Sequence, residues 1–155
     1  MEIFRFMSKS EFKAYMSGKT LKNNKDHSNY SRSNSKGFCF MSLDDHKPEE
    51  AYHFLSGLVS PDYCVKFRTN AKLKKTWGVY ADHSKDGEKF KNGVTIEDFL
   101  DLFDMILGFK SNDNATIKQD EYCISEYSKD NFELIEYTVP EWGEDNWNWR
   151  NNYGK

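Results

Sequence analysis

Apolar residues in this 155-residue chain come in short runs that alternate with polar stretches. No run approaches the roughly 18 consecutive apolar residues of a membrane-spanning helix. Short runs rich in Phe, Tyr, Val and Ile are typical of β-strands. The pattern predicts six strands, at residues 2–7, 37–42, 62–68, 76–81, 115–125 and 131–139.

Three segments between these strands are predicted to be helices, either from the spacing of their apolar residues or from residues typical of helix ends. Ser8 and Glu11 form a capping box at the start of the first, and Gly18 ends it. Pro48 suits the first turn of the second, and residues 95–107 repeat apolar side chains at helical spacing. A chain of this length buries enough surface to fold as one domain. We therefore expect an α+β fold, a single-domain mixed sheet with flanking helices.

Charge is spread unevenly along the chain, although the net charge is only −3. Residues 8–36 contain seven basic and two acidic residues, a net charge of +5. Within them, residues 23–36 lack periodicity and are predicted to form a long loop. Residues 119–155 contain nine acidic and three basic residues, a net charge of −6. The small overall charge argues against general nucleic-acid binding, whereas the asymmetry indicates either a partner surface or ordinary solvated charge.

The N-terminal sequence does not fit a secretory signal, because Glu2 stands where such a signal is basic and no long apolar stretch follows. We therefore predict a cytoplasmic protein with no membrane association. Cys39, Cys64 and Cys123 lie in strand-like segments without metal-ligand spacing. They are expected to be buried reduced thiols. The histidines show no ligand spacing either, so no metal site is predicted.

Four polar residues stand out because of their positions in the predicted strands. Arg5 lies inside an apolar strand, where a buried charge needs an anionic partner. Ser42 ends the second strand, and Gln119 and Glu121 share one face of the fifth because side chains alternate. Each also has an ordinary structural interpretation. Arg5 could form a salt bridge, Ser42 could cap a turn or a helix, and the other two could face solvent on an edge strand.

Taken in order, these residues and their surroundings resemble the ADP-ribosyltransferase superfamily, in its arginine–serine–glutamate class and QxE variant. The resemblance covers residues 3–139. The matching segments are FRF with Arg5, FMSLDDHKPEEAYHFL with Ser42, DYCVKFRT, and QDEYCIS with Gln119 and Glu121.

The resemblance implies NAD chemistry at these four positions. Arg5 would hold the NAD phosphates, which a bidentate guanidinium suits, and Ser42 would orient the catalytic glutamate. Glu121 would bind a ribose hydroxyl and stabilise the oxocarbenium centre as nicotinamide leaves. Gln119 would contact the acceptor, and a glutamine there goes with acceptors other than arginine. The implied function is mono-ADP-ribosylation of a side chain of a target protein, such as an amide, by a toxin-like or phage anti-defence effector.

A second interpretation is a non-catalytic protein that binds through its acidic surface. It would be a phage or bacterial inhibitor of a host defence protein complex, acting through helix 95–107 and the C-terminal tail. The domain is expected to span residues 1–140, followed by a polar, Trp-rich tail at 141–155. That tail either folds back onto the domain or presents Trp147 and Trp149 to a partner, and the sequence leaves both possibilities open.

Overall fold

The described part of the chain contains six strands and two helices, close to their predicted positions. The structure is a computed structural model that describes residues 1–22, 37–55, 61–81, 116–141 and 143–151. The strands are β1 Glu2–Met7, β2 Phe38–Ser42, β3 Tyr63–Thr69, β4 Lys74–Ala81, β5 Thr116–Ile124 and β6 Phe132–Thr138. The helices are α1 Lys9–Met16 and α2 Pro48–Leu55. The predicted helix 95–107 and loop 23–36 lie outside the described residues.

Helix α1 begins and ends where the sequence predicts. Ser8 Oγ accepts the Glu11 N–H at 3.2 Å and so caps the first turn. Gly18 follows the last turn at φ +85°, a left-handed conformation that glycine adopts without steric cost. Within the described residues no helix is long and apolar enough to cross a membrane.

The six strands form one sheet in the order β4-β5-β2-β1-β3-β6, and every described pairing is antiparallel. The prediction of a sheet with flanking helices is confirmed. The expected mixed pairing of strands is not observed, and the described part of the chain is mainly β with minor helix. Alternation of apolar residues predicts a strand whether it runs parallel or antiparallel to its neighbour. The sequence pattern therefore could not reveal that the pairing is antiparallel.

Strand β2 joins two longer ladders. On one side, β4 and β5 pair continuously from Lys74 opposite Cys123 to Ala81 opposite Thr116. On the other, β1 pairs with β3 along its whole length. By contrast, β2 pairs with β5 only from Phe38 to Phe40, and with β1 only at Met41 and Ser42. The sheet is therefore held together at its centre by its shortest ladders.

Side chains of β1 alternate between two apolar cores on opposite faces of the sheet. Ile3 and Met7 belong to the core beneath α1, and Phe4 and Phe6 belong to the core beneath α2. The α1-side core also contains Phe12, Tyr15, Leu21, Phe38, Phe40, Val65, Phe67, Tyr127, Phe132 and Tyr137. The α2-side core also contains Met41, Ala51, Tyr52, Cys64 and Trp147.

The C-terminal tail folds back onto the outer edge of β6. Tyr137 and Arg150 exchange backbone hydrogen bonds of 2.8 Å in both directions. Trp147 is only 7% exposed and its ring contacts those of Phe6 and Tyr52. Of the two arrangements that the sequence left open for this tail, the structure therefore shows the first for residues 143–151.

Candidate functional site

Arg5 is buried and held by the protein's own carboxylate. Its Nε and Nη2 donate to the two carboxylate oxygens of Glu11 at 2.7 and 2.9 Å, and its Nη1 donates to the Cys39 carbonyl at 3.0 Å. The guanidinium carbon also lies 5.3 Å from the centre of the Phe38 ring. At least three of the five guanidinium N–H groups are thus engaged, as the salt-bridge interpretation of Arg5 predicted.

Tyr127 completes this group of three residues, the Arg5 cluster (Arg5, Glu11 and Tyr127). Its hydroxyl donates to Glu11 Oε2 at 2.6 Å. Burial, and then the adjacent Glu11 charge, raise the pKa of Tyr127 well above its usual range. Sequence reasoning found Arg5 but not its partner. The sequence does contain a signal for this ion pair. A strand with a buried basic residue is followed directly by a helix that has an acidic residue in its first turn.

Ser42 supports the turn between β2 and α2. Its Oγ accepts the Asp44 N–H at 3.1 Å, and its carbonyl accepts the His46 N–H at 3.1 Å. These bonds match the turn-cap interpretation of Ser42. Ser42 lies opposite Ile3 in the ladder, so it occupies the α1 face of the sheet, as Arg5 does.

Gln119 and Glu121 lie on the other face. They alternate with Asp120 on β5 and share a face with Cys123, which lies opposite Cys39. Cys39 stands between Phe38 and Phe40 of the α1-side core, so its own side chain points to the α2 face. The sheet therefore separates Gln119 and Glu121 from Arg5 and Ser42. The four predicted site residues form two pairs and line no common cleft.

A sulfur–carboxylate cluster (Cys39, Cys123 and Glu121) occupies this α2 face. Cys39 and Cys123 form a disulfide across β2 and β5, with Cα atoms 4.2 Å apart. The ligand atoms of all three side chains lie within 4.8 Å of one another. Glu121 is only 4% exposed. Thr76 Oγ1 lies 3.7 Å from the Cys123 sulfur.

The expectation of three reduced thiols is thus wrong for two of the cysteines. Cys39 and Cys123 are 84 residues apart in sequence, and only the pairing of β2 with β5 brings them together. Cys64 is free and buried, as predicted. Desolvation by burial raises the pKa of the Cys64 thiol well above its usual range, so it is unreactive.

A cavity of about 600 Å³, the C-terminal cavity, lies where the tail meets the ends of β3 and β6. Its wall combines aromatic rings with charged groups, from Tyr63, Tyr137, Glu141, Glu144, Trp147 and Arg150. Glu141, Glu144 and Arg150 are exposed to solvent. Sequence reasoning noted the acidic tail but could not place it against Tyr63, which is distant in the chain.

Comparisons with protein-family models, with curated proteins and with solved structures each return no match.

Proposed function

We propose that this chain is a binding protein that takes a positively charged segment of a partner protein into the C-terminal cavity. The observation that carries the proposal is the combination, in one cavity, of exposed carboxylates and aromatic rings. Carboxylates attract ammonium and guanidinium groups, and aromatic faces add a cation–π attraction. A cavity of about 600 Å³ accommodates a short peptide segment rather than a single side chain.

The tail is fixed against the sheet by several hydrogen bonds. Besides the two between Tyr137 and Arg150, Thr138 Oγ1 donates to the Asn148 carbonyl at 3.0 Å. Trp147 Nε1 donates to the Glu141 carbonyl at 3.2 Å. A cavity wall that is already ordered loses little conformational entropy on binding, so more of the interaction free energy appears as affinity.

The charged side chains that line the cavity are Glu141, Glu144 and Arg150, a net charge of −1. Asp145, which is also exposed, lies beside Glu144 in the chain. Glu133 and Glu136 are engaged by Arg68 and Lys66 across the sheet. Within the described ranges, Glu141 and Glu144 take part in no salt bridge. Their charge therefore remains available to attract a basic partner and to speed its association.

The molecule itself contains an example of the proposed contact. The Lys66 ammonium lies 3.9 Å from the centre of the Trp149 ring and 2.7 Å from Glu136 Oε1. A lysine is thus held between an aromatic face and a carboxylate, on residues adjacent to the cavity. The proposal assigns the same kind of contact, with the half-buried ring of Tyr63 and with Glu141 or Glu144, to a lysine of the partner.

Calorimetric titration with a short peptide of alternating lysine and glycine tests the proposal. We expect saturable binding that weakens at high salt, and no binding of a peptide with glutamate in place of lysine. The double variant Glu141→Lys, Glu144→Lys should bind at least about tenfold more weakly. The control variant Glu126→Lys, Asp130→Lys makes the same change of charge on exposed residues outside the cavity lining. Equal losses in both variants would contradict a specific site.

Inhibition of a host defence complex, predicted from the sequence, is one role that such a surface would serve. Mono-ADP-ribosylation with NAD as cosubstrate also stays a prediction. Arg5, bound to Glu11, and Glu121, on the other face of the sheet, do not favour it. Calorimetric titration of the wild-type chain with NAD is the direct test, because absence of saturable binding would contradict an NAD site.

A further inference from the structure

We propose that the sulfur–carboxylate cluster, once its disulfide is reduced, binds a thiophilic divalent metal such as Zn²⁺. The ligands would be the sulfurs of Cys39 and Cys123 and the carboxylate of Glu121. Two adjacent strands place these side chains on one face of the sheet, because Cys39 lies opposite Cys123, and Glu121 lies two residues before Cys123. The site is independent of the C-terminal cavity and of its proposed function.

The spacing of the ligand atoms suits zinc. All three lie within 4.8 Å of one another. A tetrahedral zinc ion, with Zn–S near 2.3 Å and Zn–O near 2.1 Å, holds its ligands roughly 3.5–3.8 Å apart. Opening the disulfide moves the two sulfurs apart toward that separation. Three protein ligands leave a fourth position for water, which is the arrangement of an open zinc site.

Glu121 adds an oxygen ligand to the two sulfurs. Its side chain is 4% exposed and lies beside both of them. A carboxylate with two thiolates is a donor set that zinc accepts, and its negative charge offsets the charge of the ion.

The change of state is a two-electron reduction by a thiol. One thiolate of the reductant attacks the Cys39 sulfur, which is half-buried, whereas Cys123 is only 3% exposed. The S–S bond breaks, Cys123 leaves as a thiolate, and a mixed disulfide forms on Cys39. A second thiol of the reductant releases Cys39, and the oxidised reductant leaves as its own disulfide. Zinc then binds the two thiolates, and any proton that they carry goes to water.

The test compares the full-length protein in its oxidised and reduced forms. The protein is reduced with a phosphine, freed of reductant without air, and titrated with Zn²⁺ against a chromophoric chelator. We expect one Zn²⁺ per chain in the reduced protein and none in the oxidised protein. Substitution by Co²⁺ should give a thiolate-to-cobalt charge-transfer absorption, which carboxylates alone do not produce.

Two variants assign the ligands. Glu121→Gln keeps the shape of the side chain but removes its charge, and should weaken Zn²⁺ binding by roughly tenfold or more. Cys64→Ala removes the buried free thiol and should leave Zn²⁺ binding unchanged. Absence of Zn²⁺ binding by the reduced wild type, or equal affinity in Glu121→Gln, would overturn the proposal. The comparison of the two wild-type redox forms stands even if a variant fails to fold.

Discussion

Two regions of this molecule bring arginine, glutamate and tyrosine together, with opposite consequences. In the Arg5 cluster all three side chains are buried, and Glu11 accepts hydrogen bonds from both Arg5 and Tyr127. In the C-terminal cavity, Glu141 and Arg150 are exposed beside the buried ring of Tyr137. Charged side chains thus serve the fold where they are buried against one another and are available to a partner where they are exposed.

The largest expected effect is the loss of the carboxylate of the Arg5 cluster. Glu11→Gln removes the carboxylate charge that faces the buried Arg5 guanidinium and should lower the free energy of unfolding by roughly 3–5 kcal/mol. Glu141→Gln, the matched change in the C-terminal cavity, should change it by less than about 0.5 kcal/mol because that side chain is exposed. Urea denaturation measures both. Similar losses in the two variants would remove the contrast between the regions.

Alkaline pH should weaken the fold through Tyr127. Because the pKa of Tyr127 is raised in the folded protein, this hydroxyl contributes stability in full below its unfolded pKa near 10. Above that pH the unfolded chain loses the proton while the folded chain keeps it, so stability falls by up to about 1.4 kcal/mol per pH unit for this group. Tyr127→Phe should reduce that slope, measured by denaturation from pH 9 to 11. An unchanged slope would show that Tyr127 does not titrate in this way.

A smaller effect is expected where the tail is attached. Thr138→Val removes the hydrogen bond to the Asn148 carbonyl and should cost about 1 kcal/mol of local stability. Hydrogen exchange of the Tyr137 and Arg150 amides should then become about fivefold faster, because these amides form the bridge between β6 and the tail. Amides of β1 should keep their exchange rates. Faster exchange in β1 as well would indicate that the tail and the sheet open together.

Much of the fold follows from local pattern, as β1 and α1 show. Alternation in β1 predicts the strand, and Ser8 and Gly18 predict the ends of α1, because each signal depends on residues close in sequence. The shared face of Gln119 and Glu121 follows in the same way from the two-residue period.

What the sequence could not reveal depends on strand order and register. The sequence predicts that Arg5 needs an anionic partner and that Glu11 belongs to a helix cap, but the contact between them depends on how α1 packs against β1. The Cys39–Cys123 disulfide depends on the pairing of β2 with β5. That pairing is determined by contacts between residues that are distant in sequence. For the same reason, the separation of Glu121 from Arg5 could not be predicted.

An NMR titration of the full-length chain with the lysine–glycine peptide examines both regions in one measurement. The account predicts saturable shifts of the Trp147 indole N–H and the Arg150 amide, which belong to the C-terminal cavity. The Arg5 Nε–H, enclosed with Glu11, should not move. A Trp147 signal that stays in place at saturating peptide, or an Arg5 signal that moves with it, would contradict the claim that binding occurs in the C-terminal cavity.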